Sequence, residues 1–202
     1  MVEPRGSVAL EMYHMTKIYF IIAVLIIVVQ IGTLFWLGNS FICPCGLVKL
    51  WGPIVKSPEN SQHLFDWYSF SHIVYGIAGY FLVWPLRKKF KWAVTIGFLL
   101  VLVLSVSWEI LENTAYVVHH YQTNTISFDY YGDSVVNSLV DTLSVAAGFW
   151  LAYFLPVWAA VALALGLEIL TMALIRDGLV LNTIMFVYPL KSIVAWQAAI
   201  MQ

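Results

Sequence analysis

The chain has 202 residues, of which 61% are hydrophobic and 10% charged, with a formal net charge of −1. A soluble globular domain is about a quarter charged, so a chain this apolar reads as an integral membrane protein. The basic footprint of nucleic-acid-binding proteins is absent, so no nucleic-acid partner is expected and membrane lipids are.

A spanning helix needs roughly 20 mostly apolar residues. The first such segment runs from about Lys17 to Leu37. It is longer than the roughly 7–15-residue core of a secretory signal, and no small-residue cleavage site follows. Phe41 and Ile42 before Cys43 fit lipoprotein processing poorly, so the segment is expected to be a retained anchor. The second segment runs from about Ser69 to Leu86 and stops at Arg87, Lys88, Lys89 and Lys91. The third covers Trp92 to about Ala115 and the fourth about Tyr131 to Leu155. Pro156 marks a tight turn into the fifth, which ends near Ile175. The stretch Leu179–Ala199 carries Asn182, Pro189 and Lys191, and is expected to span once with a kink or to be partly re-entrant.

The fold class expected is therefore all-α: a polytopic transmembrane bundle of five to six spans, residues 1–202 forming one membrane domain. Basic residues in short loops mark the cytoplasmic side. The Arg87–Lys91 cluster, with Arg5 and Lys17, places the N-terminus in the cytoplasm. The loops 39–68 and 114–130 then face the periplasm of a bacterial inner membrane.

On that topology the polar residues gather near the outer face. Ser71 and His72 open the second helix, and Glu109, Glu112 and Asn113 close the third. Asp133, Asn137 and Asp141 recur every fourth residue, which places them on one helix face. At about 1.5 Å per residue they reach roughly 12 Å inward. A charge at mid-bilayer costs at least roughly 2.5–3.5 kcal/mol, so these groups must face each other, a cation or water. A polar cleft walled by helices two to five is expected.

Within it, His72 is the expected general acid or base, with Glu109 or Asp133 orienting it. These three are the expected catalytic residues. Glu112, Asn113, Asn137 and Asp141 are expected to bind substrate or a cation. Asp133, Asp141 and Glu112 suit a divalent cation, because hard cations prefer carboxylate oxygens. Asn137, Ser134 and Ser138 read equally well as interhelical glue. Glu168 and Arg176 are expected to form a structural ion pair, and Trp108 and Trp150 to pack or sit in the interfacial belt. Tyr68, Tyr75 and Tyr80 are expected to anchor or pack the second helix, and His119-His120 to be a solvated loop pair. Cys43 and Cys45, with only Pro44 between them, leave three readings open: a soft-metal site with His63, a buried thiol pair, or a strained disulfide.

Three stretches carry a resemblance. They are Cys43-Pro-Cys45-Gly46 through Trp51 to Ser71-His72, then Trp108-Glu109-Ile-Leu-Glu112-Asn113, then Asp129-Tyr-Tyr-Gly132-Asp133 through Asn137 to Asp141. Together they resemble a family of alphaproteobacterial multi-pass inner-membrane proteins of unknown function, from about Gly38 to Pro189. The resemblance implies a bacterial membrane location and no particular activity. That family often has a second histidine about one turn after His72, where this chain has Tyr75 and Gly76. The order His72, Glu109, Asp133, Asn137 is more distantly similar to VanZ-like proteins, which are linked to glycopeptide-antibiotic resistance. The arginine such proteins often carry before the aspartate is replaced here by Ser127-Phe128.

No serine-nucleophile or HExxH motif is present, so the reaction class stays open. Three functions fit: an enzyme acting on a lipid or lipid-linked substrate, a proton- or cation-coupled transporter, or a non-catalytic envelope assembly protein.

Overall fold

The computed structural model describes residues 5–52 and 54–199, with side chains from residue 16 onward. Among the described residues, five helices are long and apolar enough to cross a membrane: Thr16–Leu37 within α1 (Arg5–Leu37), α2 (Trp67–Phe90), α3 (Val94–Glu112), α5 (Val135–Phe154) and α6 (Val157–Ile175). Three shorter helices are α4 (Ala115–Asn124), α7 (Leu179–Val187) and α8 (Lys191–Ala198). The chain is thus an all-α bundle of membrane-spanning helices. The Arg5 side chain, used above for orientation, lies outside the described side chains.

The expected spans hold with shifted ends. α2 begins at Trp67 because Asp66 caps it: its carboxylate accepts from the Tyr68 and Ser69 N–H groups, while the Asp66 N–H donates to Ser69 Oγ. This reciprocal pair satisfies orphan N–H groups of the first turn. The helix runs through Pro85 and the basic cluster to Phe90, where Lys91 turns left-handed.

The sixth segment departs from expectation. Leu179–Ala199 does not cross as one helix; it breaks around Pro189 into α7 and α8, of 9 and 8 residues. Neither is near the roughly 20 residues a crossing needs. Both stay at the polar end of the bundle, where Tyr121 of α4 donates to Asn182 of α7 and Gln197 of α8 donates to the Arg176 carbonyl.

Helix α2 packs most extensively against α5. The cause is a pair of glycines. A Cβ at Gly76 would sit 2.0 Å from the Val145 carbonyl oxygen, and one at Gly148 would sit 2.1 Å from the Ile73 oxygen. Small residues let backbones approach this closely, which matters in lipid, where apolar burial between helices gains little. Toward the basic end, Val83, Val101, Val145 and Phe149 form the core, with Tyr75, Tyr80, Phe98 and Trp150 packed around it. Apolar side chains such as Phe20, Leu25 and Val28 on α1, and Leu165 and Ile169 on α6, point outward, as lipid-facing positions do.

The segment 39–68 is a strap rather than a free loop. Residues Trp51–Gly52 (β1) pair in parallel with Phe65–Asp66 (β2). The strap is pinned to the start of α5: the N–H groups of Ser134, Val135 and Val136 donate to the carbonyls of Ser61, Ser40 and Phe41. The segment 114–130 is likewise ordered, with α4 as its main element.

Candidate functional site

The first turns of α2 and α5 and the last turn of α3 meet at one end of the bundle. His72 stands among them. Its Nδ1 lies 3.5 Å from Glu109 Oε1 and its Nε2 lies 3.9 Å from Asp141 Oδ2. Both carboxylates are buried, Glu109 being 1% exposed.

Beside His72 opens a cavity of about 400 Å³. His72, Glu112, Asp133 and Asp141 all line it, so the structure joins these four expected residues in one chamber. Tyr75, Trp108, Tyr121, Tyr130 and Phe186 supply aromatic wall, and no lysine or arginine lines it among the described residues. Tyr75 also packs on the core, and forms the floor toward the basic end.

Asp133 is held by a reciprocal clasp. The Asn113 amide donates to its Oδ2 (2.7 Å), and the Asp133 N–H donates back to Asn113 Oδ1 (2.6 Å). The Tyr130 hydroxyl donates to Asp133 Oδ1 at 3.1 Å, and the Asn39 amide to the Asp133 carbonyl at 2.8 Å. Gly132 makes the turn possible. Its φ of +90° is a conformation that favours glycine, and a Cβ there would meet Asn113 Oδ1 at 2.9 Å. Burial pushes the Asp133 carboxyl up to about 7, against the pull of the Asn113 hydrogen bond. Burial also raises Asp66, and lifts Asp177 to about 6.

Behind His72 runs a second chain of bonds. Thr142 donates to Gln30 Oε1 (3.0 Å), and Gln30 donates to Ser138 Oγ (2.8 Å). Ser138 in turn donates to Glu109 Oε2 (2.7 Å). Among the described residues the other Glu109 oxygen, Oε1, makes no hydrogen bond, nor do His72 Nδ1 and Ser71 Oγ. On the far side, Ser69 donates to Asp141 Oδ1 at 3.0 Å.

The family model described as "Protein of unknown function (DUF2585)" matches residues 34–199. The chain belongs to this family. A UPF0314 protein of Paracoccus denitrificans is 46% identical over 178 residues, which cover 87% of this chain and 90% of that one. A UPF0314 protein of Rhizobium meliloti is 45% identical over 175 residues, 87% and 88% of the two chains. One of Sphingopyxis alaskensis is 40% identical over 183 residues, 89% and 94%. No solved structure matches. The family match begins at Leu34 and so takes in Asn39, the strap, the clasp and α7, while Gln30 falls outside it.

Not every expected site residue reaches the cavity. Glu109 sits behind His72, and Asn113 supports Asp133 from below the surface. Asn137 is fully buried; its amide donates to the His63 carbonyl (2.8 Å) and to Asp66 Oδ2 (3.4 Å), locking the strap to α5. It serves as scaffold between strap and helix, not as glue between two helices. Tyr68 and Tyr75 line the cavity rather than only anchoring α2, and Trp108 lines it while packing on Phe186, the first of its two expected roles.

Glu168 and Arg176 do not pair among the described residues. The Glu168 carboxylate accepts from the Leu179 and Val180 N–H groups and so caps α7, a favoured place for an anion. Arg176 instead bonds the Trp196 carbonyl and lies over its ring. His119 and His120 are on α4, not in a loop, and the His120 ring stands against Phe186. Cys43 and Cys45 are joined as a disulfide, and His63 bonds Glu59 instead.

Gln30, Asn39, Ser69, Tyr130 and α7 are the parts sequence reasoning missed. Only Gln30 carried a signal, as a lone amide inside an apolar span.

Proposed function

We propose that the protein is a membrane-embedded enzyme of the bacterial inner membrane, acting from the periplasmic side on a lipid or lipid-linked substrate. The observation that carries this reading is the shared chamber: His72, with an unpartnered Nδ1, lines the same 400 Å³ cavity as Glu112, Asp133 and Asp141. Most buried polar atoms in a folded protein find a partner. A site that awaits a ligand leaves some open.

The lining suits an amphipathic molecule. Carboxylates, hydroxyls and one imidazole face Trp108, Tyr75, Leu179 and Phe186 across the cavity. His72 and Asp133 supply proton transfer. Asp133, lifted to about 7, lies where a general base works best at neutral pH. The order His72, Glu109, Asp133, Asn137, similar to VanZ-like proteins, fits this reading with Asn137 assigned to the scaffold.

The packed layer beneath Tyr75 supports an enzyme over a carrier. Gly76 and Gly148 lock α2 on α5, and the Val83, Val101, Val145 and Phe149 core lies between the cavity and the basic end. A carrier needs two such bundles to rock apart.

The test is untargeted lipid profiling of a deletion strain carrying wild type, His72→Ala, Glu109→Gln or Asp133→Asn. Lipid species that shift on deletion should return with wild type and stay shifted with the variants. Full rescue by all three variants would remove the proposal.

A further inference from the structure

The gap between His72 and Glu109 has a specific size. At 3.5 Å, Nδ1 and Oε1 are beyond the roughly 2.7–3.2 Å of an N–H···O hydrogen bond. Neither atom has another hydrogen-bond partner among the described residues, although Glu109 is 1% exposed. Two buried polar atoms that face each other without bonding are costly, unless something sits between them.

The spacing fits an ion. Bonds of about 2.0–2.2 Å to a tetrahedral zinc place neighbouring donor atoms roughly 3.3–3.6 Å apart. A third donor stands close by. Donor atoms of His72, Glu109 and Glu112 all lie within 4.8 Å of one another. Glu109 and Glu112 are three apart on α3 and so share a helix face. Glu112 lines the cavity, so a fourth position on the ion would open into it. The imidazole distinguishes this set from the all-oxygen cages of calcium, and one nitrogen with two carboxylates suits zinc or manganese.

The other ring nitrogen also faces a carboxylate, though beyond hydrogen-bond distance. A metal-bound histidine nearly always gives its second N–H to a carboxylate or carbonyl, which fixes the ring. Here Nε2 faces Asp141 Oδ2 at 3.9 Å, and Asp141 is itself held by Ser69.

We propose that a divalent transition-metal ion binds between His72 Nδ1, Glu109 Oε1 and the Glu112 carboxylate, with Asp141 as the residue that positions the imidazole. This rests on the enzyme reading for what the ion would do: polarise a substrate oxygen or a bound water facing the cavity. Proton transfer then falls to Asp133 on the same cavity.

The full chain, purified in detergent and stripped with a chelator, is titrated with Zn2+ and with Mn2+ alone, no substrate being needed. One ion per chain is expected to bind. His72→Ala and Glu109→Gln should each weaken binding more than about 100-fold, and Asp141→Asn by about 10–100-fold, the loss typical of an outer partner. Glu112→Gln, which keeps the size of a cavity-lining side chain and an oxygen to accept hydrogen bonds, should weaken it too with an unchanged melt. Cys43→Ser with Cys45→Ser should change nothing. Failure of wild type to bind either ion, or equal binding by Glu112→Gln, would overturn the proposal. So would binding lost only with the cysteines. Lipid profiles that still depend on His72 while no ion binds would sink the metal and leave the acid–base reading standing.

Discussion

The imidazole of His72 is held between Glu109, at 3.5 Å from Nδ1, and Asp141, at 3.9 Å from Nε2, and it hydrogen-bonds neither at those distances. A buried polar atom without a partner costs roughly 1–3 kcal/mol. The ring therefore contributes little to the fold and much to the cavity. In chelator-stripped protein, His72→Phe should melt at or above the wild-type temperature, while lipid rescue in cells is lost. This is the trade expected of a group kept for function. A clear fall in the melting temperature would make His72 a structural tie between α2 and α3 instead.

Gln30 should show the opposite behaviour. It is fully buried on α1 and bonds the Ser138 carbonyl, Ser138 Oγ and Thr142 Oγ1 of α5. At about 0.6 kcal/mol for each interhelical bond in a membrane protein, Gln30→Leu should cost about 2 kcal/mol. It should also free Ser138, which holds Glu109. Chemical unfolding in mixed micelles reads the first effect. An unchanged unfolding midpoint would mean that α1 is held by its apolar face alone.

The contrast between these two residues explains what the sequence disclosed. The spans were legible as apolar runs, and His72, Glu109, Glu112, Asp133 and Asp141 stood out because ionisable groups within lipid are rare and expensive. A lone amide such as Gln30 is a weaker mark, and nothing in the chain names its partner 108 residues away. The shared-face argument for Asp133, Asn137 and Asp141 holds only in part. α5 begins at Val135, so Asp133 lies before the helix and owes its direction to the turn at Gly132. Asn137 and Asp141 do sit on α5, yet Asn137 points into the strap, a partner that helical periodicity does not encode. α7 was hidden because a short apolar helix and half of a kinked span look alike until Pro189 is seen to end it.

The α2–α5 crossing gives a graded series. Gly76→Ala and Gly148→Ala place a Cβ about 2 Å from backbone oxygen, which cannot rotate away. Gly79→Ala meets only the Val101 side chain, at 2.8 Å, and Gly32→Ala and Gly166→Ala meet nothing within 4 Å. Overpacking typically costs about 1–3 kcal/mol where the neighbours shift, and more where they do not. The yield of monodisperse protein on gel filtration should fall steeply for Gly76 and Gly148, partly for Gly79, and not at all for Gly32 and Gly166. Normal yield for Gly76→Ala would mean that the two helices cross farther apart than described.

Asp133 sets a pH dependence whose direction follows from its burial. Its carboxyl is raised from the ordinary 3.8 to about 7 in the folded chain, so between those values the folded state holds a proton that the unfolded chain has released. Stability then falls as pH rises through that window, the reverse of a salt-bridged carboxylate. Asp66 and Asp177 are raised by burial as well and add to the same slope. Melting temperature in detergent should therefore drop from about pH 5 to about pH 8 in wild type, with a shallower drop in Asp133→Asn. The asparagine keeps one oxygen to accept from the Asn113 amide, and its NH2 can donate to the Tyr130 hydroxyl oxygen in place of the bond that Asp133 accepted, so the clasp survives while the titration does not. Identical slopes in the two proteins would mean that Asp133 stays ionised, with a cation in the cavity holding its charge.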